Sequence, residues 1–320
     1  MKFLILGAGG IGCYYGARLL QAGHDVVMVA RGEHLRALQQ TGLRVTHPAF
    51  EYAGPVTVCA LEAVPSLDVA CVDWVLLTAK AGATQSMLAS LADWLQAAAV
   101  PVLSLQNGVD NERQIAAVVG QARTAGGLAV RIGGHILAPG VVEATGVAQI
   151  EMGAWPDCVR NPLLQPRLQQ LCEILIAAGI PATLTDNIER ALWRKLVINN
   201  GVNPLSALTG LDTRALTSDP VLGKVVYQLM DETGRAANAE GVDIGRADVD
   251  AMFRLISEFD AIKTSMLVDR EKGRPMEIDD ICGPVIRGCL LSGQAAHITA
   301  MVRSLLLFNS GFCQPFRLPE

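Results

Sequence analysis

The sequence predicts an α/β fold in two parts: a parallel sheet covered by helices, followed by an all-helical domain. Three observations carry that expectation. The chain opens on a strand-like apolar run, Lys2–Leu6, that ends in the glycine-rich stretch Gly7-Ala8-Gly9-Gly10-Ile11-Gly12. The first half then alternates strand-like and helix-like segments, the rhythm of parallel strands joined by helical crossovers. After about Thr185 helical periodicity takes over and few residues suit strands. At 320 residues the chain has room for two domains of ordinary size, and the change of character divides it into 1–186 and 187–320.

Taken in order, Lys2–Leu6 reads as the first strand and Ile11 to about Ala22 as the first helix. Asp25–Ala30 is a β-branched second strand. Asp73–Thr78 and Pro101–Leu105 read as buried strands on either side of a helical segment, Thr84–Ala98. Between Ala122 and Glu151 glycines punctuate several strand-like runs, the pattern of a β-meander that extends the sheet. The second half carries helical periodicity over Asn187–Leu208, Leu222–Glu240, Val249–Asp260, Glu277–Leu291 and Ala295–Leu307.

Composition narrows the function. Hydrophobic residues make up 51% and charged residues 18%, so the chain can bury a large core without a disulfide or metal staple. The net charge of −5, with no basic block, gives a nucleic-acid or anionic-membrane partner no support. No run approaches the ~18 apolar residues of a membrane span. The eight cysteines, Cys13, Cys59, Cys71, Cys158, Cys172, Cys282, Cys289 and Cys313, have irregular spacing and mostly apolar surroundings. They read as buried thiols of a reducing, cytoplasmic compartment rather than as a disulfide framework or a metal site. The apolar helical domain leaves room for a homodimer, with no interface legible.

The glycine stretch is G-x-G-x-x-G after a strand and opening a helix, the context that makes it a dinucleotide-binding, Rossmann-type loop. Gly7 permits the tight turn, Gly9 lets the backbone approach a pyrophosphate, and Gly12 lets the helix pack close. The helix start at Gly10 and Ile11, with Ala8 before it, offers free N–H groups to phosphates. The second strand ends at Arg31 where an acid for the adenosine ribose is expected, with none before Glu33. An arginine there suits a 2′-phosphate and favours NADPH, although a solvated arginine fits the position too. Lys80 and Asn107 follow later strands, beyond whose carboxyl ends ligands of open α/β sheets bind. By position alone, a solvated lysine and a turn-forming asparagine fit equally well.

In the second half, Lys195, Asn199 and Asn203 are four apart and fall along one helix face amid Leu196, Val197 and Ile198. Amides among apolar neighbours need partners, and a ligand can supply them; an exposed polar stripe is the alternative. Ser265 lies in the cluster Lys263–Leu267. Glu277 lies in the first turn of a new helix after Gly273 and Pro275, where simple helix-start chemistry also accounts for a carboxylate.

These pieces together resemble the ketopantoate reductase family (2-dehydropantoate 2-reductases). The matching segments are ILGAGGIGCYYGARL, the strand end at Arg31, LTAK at Lys80, QNG at Asn107, ERALWRKLVINNGVNPLSAL and KTSMLVDREKGRPMEID. The resemblance implies NADPH-dependent reduction of the 2-oxo acid ketopantoate to pantoate, in pantothenate biosynthesis, at a cleft between the domains. It makes Lys195 and Glu277 catalytic. It assigns Asn199, Asn203 and Ser265 to the substrate, and Lys80 and Asn107 to both cofactor and substrate. The chain departs from the family at Thr209–Thr213, which lacks a further substrate-facing asparagine, and at His297–Ala300, where many members carry Thr-Pro. Those departures motivate a second reading, a reductase of another branched 2-oxo acid. A third, a non-catalytic NADP(H)-binding sensor, is disfavoured by the retention of Lys195 and Glu277.

Overall fold

A computed structural model describes residues 1–68 and 72–310. The chain forms two units, Met1–Ala191 and Leu192–Glu320. They part inside a helix that begins at Ile188, just past the change of sequence character at Asp186.

Unit 1 is built on the elements β1 (Lys2–Leu6), α1 (Gly10–Gln21), β2 (Asp25–Val29), α2 (Gly32–Thr41), β3 (Leu43–His47), β4 (Phe50–Gly54) and β5 (Thr57–Cys59). There follow β6 (Trp74–Leu77), α3 (Thr84–Ser90), α4 (Ala92–Ala98), β7 (Val102–Ser104), α5 (Asn111–Val119), β8 (Thr124–Ala138), β9 (Val141–Ala154), α6 (Gln165–Ala177) and β10 (Ala182–Leu184). All ten strands join one sheet in the order β4-β3-β9-β8-β7-β6-β1-β2-β5, with β10 added beside β9. From β5 to β8 every pairing is parallel. The chain leaves β1 for β2 on one side and returns to β6 on the other, so the topological switch point lies between β1 and β6.

At the central strands β1, β6 and β7 both sheet faces are buried, which is why these strands read as continuous apolar runs. In β1, Phe3 and Ile5 join a core with Tyr14 and Leu19 of α1 and Leu168 and Leu171 of α6. Leu4 and Leu6 point the other way, onto Met87 and Leu88 of α3, Trp94 and Leu95 of α4 and Ile115 of α5. The side-chain alternation of a strand thus assigns each helix layer its own half of the core.

Two segments differ from the sequence reading. The single helix expected over Thr84–Ala98 is two helices, because Leu91 adopts φ −111°, ψ 7° between them and buries its side chain. The meander expected over Ala122–Glu151 is one long antiparallel hairpin of β8 and β9. Gly140, with φ +78°, serves the one turn between them, Gly127 and Gly134 serve close contacts, and Gly146 lies against the bulge where pairing shifts register at Arg131, whose φ is +51°. The six described cysteines are free; Cys59 and Cys158 are half-buried and the other four are buried. Cys71 and Cys313 lie outside the described residues, as does most of the segment Phe308–Glu320.

Unit 2 contains α7 (Ile188–Thr209, which begins in unit 1), α8 (Thr213–Ser218), α9 (Leu222–Ala239), α10 (Arg246–Glu258), α11 (Ser265–Glu271), α12 (Ile278–Leu291) and α13 (His297–Asn309). Among the described residues no helix is long and apolar enough to cross a membrane. Helix α9 packs on α8, α10, α12 and α13. It meets α7 where Gly201 leaves space for the Met230 side chain. The start of α13 is held by a buried carboxylate: Glu232 accepts from Ile298 N–H at 3.0 Å, Thr299 N–H at 2.8 Å and the Thr299 hydroxyl at 2.6 Å. Glu232→Ala should therefore cost about 1–3 kcal/mol, the penalty for leaving buried donors unpaired. A urea midpoint within error of wild type would show that the cap contributes nothing.

Candidate functional site

The glycine loop sits at the carboxyl end of β1, and its four glycines have different reasons to be there. A Cβ on Gly7, whose φ is +111°, would collide with the Ala79 backbone just beyond β6. One on Gly12 would meet the Gly7 carbonyl and the Thr78 hydroxyl, and one on Gly10 would meet the Gly134 backbone of β8. Gly9 alone of the four has nothing within 4 Å of where a Cβ would stand, and its φ of −80° suits any residue. Open backbone at the first turn of α1 is a cradle for an anion. Hydrogen bonds fix the loop around that opening. Ala8 N–H donates to Val29 at 2.8 Å, Gly9 N–H to the Gly7 carbonyl at 2.8 Å, and the Thr78 hydroxyl to that same carbonyl at 2.7 Å. Ala8 is buried and Ile11 half-buried.

Arg31 follows β2 as the N-cap residue of α2, exposed, and its guanidinium forms no ion pair among the described residues. Behind it, His34 accepts from Gly140 N–H through Nδ1 at 3.1 Å. Burial lowers its affinity for a proton, while the Ala8 carbonyl opposes that shift.

Lys80, exposed, and Asn107, half-buried, follow β6 and β7 at the same sheet edge as the glycine loop. A buried network joins the two turns. The Gln106 amide nitrogen donates to the Ala79 carbonyl at 2.8 Å and to the Thr84 hydroxyl oxygen at 2.9 Å. The Thr84 hydroxyl donates to the Asn111 side-chain oxygen at 2.9 Å, and the Asn111 amide nitrogen to the Asn107 main-chain carbonyl at 2.8 Å. Thr84 and Asn111 escaped the sequence reading, because nothing about a lone polar residue at a helix start signals a partner two turns away in space.

In unit 2, Lys195 and Asn199 are half-buried on α7 and Asn203 is 6% exposed. The neighbouring Asn200, which the sequence reading passed over, is wholly buried. Its amide nitrogen donates to Leu229 and to the hydroxyls of Thr233 and Thr299, at 3.2, 3.0 and 3.1 Å. These bonds tie α7 to α9 and α13 and so fix its rotation. Arg270 of α11 donates to the carbonyls of Ala207 and Leu208 in the last turn of α7. The segment carrying Ser265 and Glu277 is thereby anchored to the helix carrying the lysine and amides. Ser265 is the exposed first residue of α11, capped by the Thr264 hydroxyl. Glu277 is the buried N-cap residue of α12, one position before the first turn expected for it, with φ −81° and ψ 50°. No group of three His, Cys, Asp or Glu suited to a metal occurs among the described residues.

Comparison with known proteins covers both units. The family model "Ketopantoate reductase PanE/ApbA" matches residues 3–157, and "Ketopantoate reductase PanE/ApbA C terminal" matches 187–307. The chain is similar to the 2-dehydropantoate 2-reductase of Pyrococcus horikoshii, 29% identical over 96% of each chain. It is similar to that of Mesorhizobium japonicum, 32% identical over 89% of this chain and 90% of the other. Among solved structures, a PanE/ApbA family ketopantoate reductase from Ralstonia eutropha JMP134 superposes with a TM-score of 0.84 at 30% identity, covering 97% of this chain and 99% of that one.

The glycine geometry separates fold from ligand. Gly9→Ala should melt within about 1 kcal/mol of wild type yet bind a nicotinamide dinucleotide on the order of tenfold more weakly. Gly10→Ala, forced against Gly134, should lose about 1–3 kcal/mol of stability with no ligand present. Titration and thermal melting of the two variants decide the matter, and unchanged dinucleotide affinity in Gly9→Ala would remove a pyrophosphate from this loop.

Proposed function

Because the chain belongs to the ketopantoate reductase family and is an oxidoreductase, we propose that it reduces ketopantoate to pantoate with NADPH, a step of pantothenate biosynthesis. The observation that carries the proposal is the open backbone at Gly9, set at the switch point of a parallel sheet beside the turn that bears Lys80, with the turn of Asn107 next beyond it. The residues fit the cofactor. The Ala8–Gly12 backbone would hold its pyrophosphate, and the exposed Arg31 guanidinium its 2′-phosphate. Asn107 and Lys80 would serve its nicotinamide end and the substrate. When bound, NADPH supplies the hydride.

The chain's own groups account for the rest. Arrival of a hydride at a ketone carbon leaves negative charge on the oxygen. Lys195 Nζ hydrogen-bonds that oxygen and then passes it a proton. Asn199 and Asn203 donate amide N–H groups to the substrate carboxylate, and the Ser265 hydroxyl adds a further bond. The Glu277 carboxylate accepts the substrate's primary hydroxyl and so orients the carbonyl for attack. Apolar neighbours of the stripe, Leu196, Val197 and Val202, are all buried and keep water from one side of these groups. The six free thiols support a reducing, cytoplasmic setting.

A second reading, reduction of a different branched 2-oxo acid, draws support from Thr209–Thr213. There the Thr209 hydroxyl is spent on the Leu205 carbonyl at 2.8 Å and Asp212 caps α8 at Ala215 N–H, also at 2.8 Å. Leu211 is exposed, so the loop offers a substrate an apolar side chain in place of an amide. NADPH oxidation with ketopantoate, beside a panel of other 2-oxo acids, separates the two.

Lys195→Ala should lower kcat by about 10²–10⁴, the usual loss of a general acid, with NADPH affinity intact; near-wild-type turnover would reassign the proton donor. Arg31→Ala should weaken NADPH about tenfold or more while sparing NADH, since only NADPH carries the phosphate. Equal losses for both cofactors would end that role.

A further inference from the structure

Glu112 takes no part in the chemistry above, yet it is a wholly buried carboxyl, 0% exposed, with neither oxygen hydrogen-bonded. It lies in the first turn of α5, next in sequence to Asn111, whose amide holds the Asn107 carbonyl. The groups that weigh most on Glu112 carry no positive charge. Ser104 presents a hydroxyl from β7, Asp110 a carboxylate from the preceding loop, and Glu189 another from the start of α7. Glu189 is paired with Arg160 at 3.1 Å, and Arg160 also with Asp157 at 2.6 Å. Arg123, beyond the end of α5, donates to the Val119 and Leu95 carbonyls at 2.7 and 2.9 Å.

We propose that Glu112 is a positioning residue for the Asn107 turn: as a neutral acid it lets the first turn of α5 close, and on ionising it opens that turn and releases Asn111 from Asn107. The inference rests on the reading that Asn107 serves cofactor and substrate. An ionised carboxylate buried in this site would meet the Ser104 hydroxyl and its own main-chain N–H but no countercharge among the groups that weigh most on it, with two like charges against it. The cheapest relief is to carry it outward by fraying the helix start, where intrahelical bonds are fewest. Burial, the largest influence, pushes the carboxyl up to about 7, and the Asp110 and Glu189 charges add to it, against the Glu112 main chain and Ser104. The folded chain then holds this proton more tightly than the unfolded chain. The associated stability is full below 4.5, declines as pH rises toward about 7, and is gone above it.

Two measurements on full-length wild type, Glu112→Gln and Asn111→Ala test this. Hydrogen exchange, corrected for its intrinsic pH dependence, should show residues 107–112 of wild type losing protection between pH 6 and pH 8, while Glu112→Gln keeps it. NADPH affinity of wild type should fall about tenfold over the same range, in proportion to the competent fraction. Glu112→Gln should change less than twofold, and Asn111→Ala should be weak already at pH 6 with no added slope. A merely structural role would shift melting alike at every pH and leave these slopes in place. If Glu112→Gln does not fold, Glu112→Met gives a neutral side chain of similar shape for the same comparison. A Gln or Met variant with wild-type pH dependence in exchange and affinity overturns the proposal. Wild type that fails to bind NADPH at pH 6 overturns the cofactor reading instead, and the exchange data then judge Glu112 without any ligand.

Discussion

At the carboxyl end of β1 main chain packs against main chain, and no side chain fits between. Gly7 lies on the backbone of Ala79, Gly12 on the carbonyl of Gly7, and Gly10 on the backbone of Gly134. These contacts bring β1, β6 and β8 to one point and point the first turn of α1 along the sheet edge. Unit 1 depends on this. The Thr78 hydroxyl reaches the Gly7 carbonyl because the strands are this close, and the turns after β6 and β7 take their places from the same register. Gly9 is the exception that gives the arrangement its use, being glycine where nothing in the protein demands it.

Unit 2 solves a different problem with buried polar groups. Lys195, Asn199 and Asn203 form a stripe whose direction depends on the rotation of α7. Asn200 sets that rotation through bonds to the carbonyl of Leu229 and two threonine hydroxyls. Thr299, one of them, is itself fixed by Glu232, so the lysine stripe and the start of α13 share one network. An apolar contact would tolerate a few degrees of rotation at little cost. A buried amide with named partners does not, because turning it strands a polar atom away from water.

Much of this was legible in the sequence wherever one local rule governs. The glycine loop was legible because the demands of a tight turn and a close approach are written in consecutive residues. The i, i+4 stripe on α7 was legible because helical spacing is fixed. What stayed hidden depends on contacts between distant segments. Nothing local to Gly10 says that Gly134 lies against it. The break at Leu91 comes from burying that side chain between two helices, against the helical propensity of the surrounding run. The β8–β9 hairpin was misread because glycines that end a strand and glycines that admit a bulge or a neighbour look alike in sequence. Glu277 fell one residue outside its helix, because its ψ of 50° leaves the helical region and makes it the cap. The Glu112 carboxyl, flanked by Asn111 and Arg113, carries no mark of burial at all.

The sheet order bears on how the chain folds. β3 and β4 leave the sequence directly after α2, yet their place is at the far edge, where Arg44 pairs with Val141 and Thr46 with Glu143. Strands β1, β2 and β5 find their neighbours among early residues, but β3 has no parallel partner until β9 has been made. On a growing chain the β3–β4 hairpin emerges long before its partner and must wait with an unpaired edge. This pairing is among the pairings of highest contact order in the sheet, and closing it is a late step that follows formation of the β8–β9 hairpin.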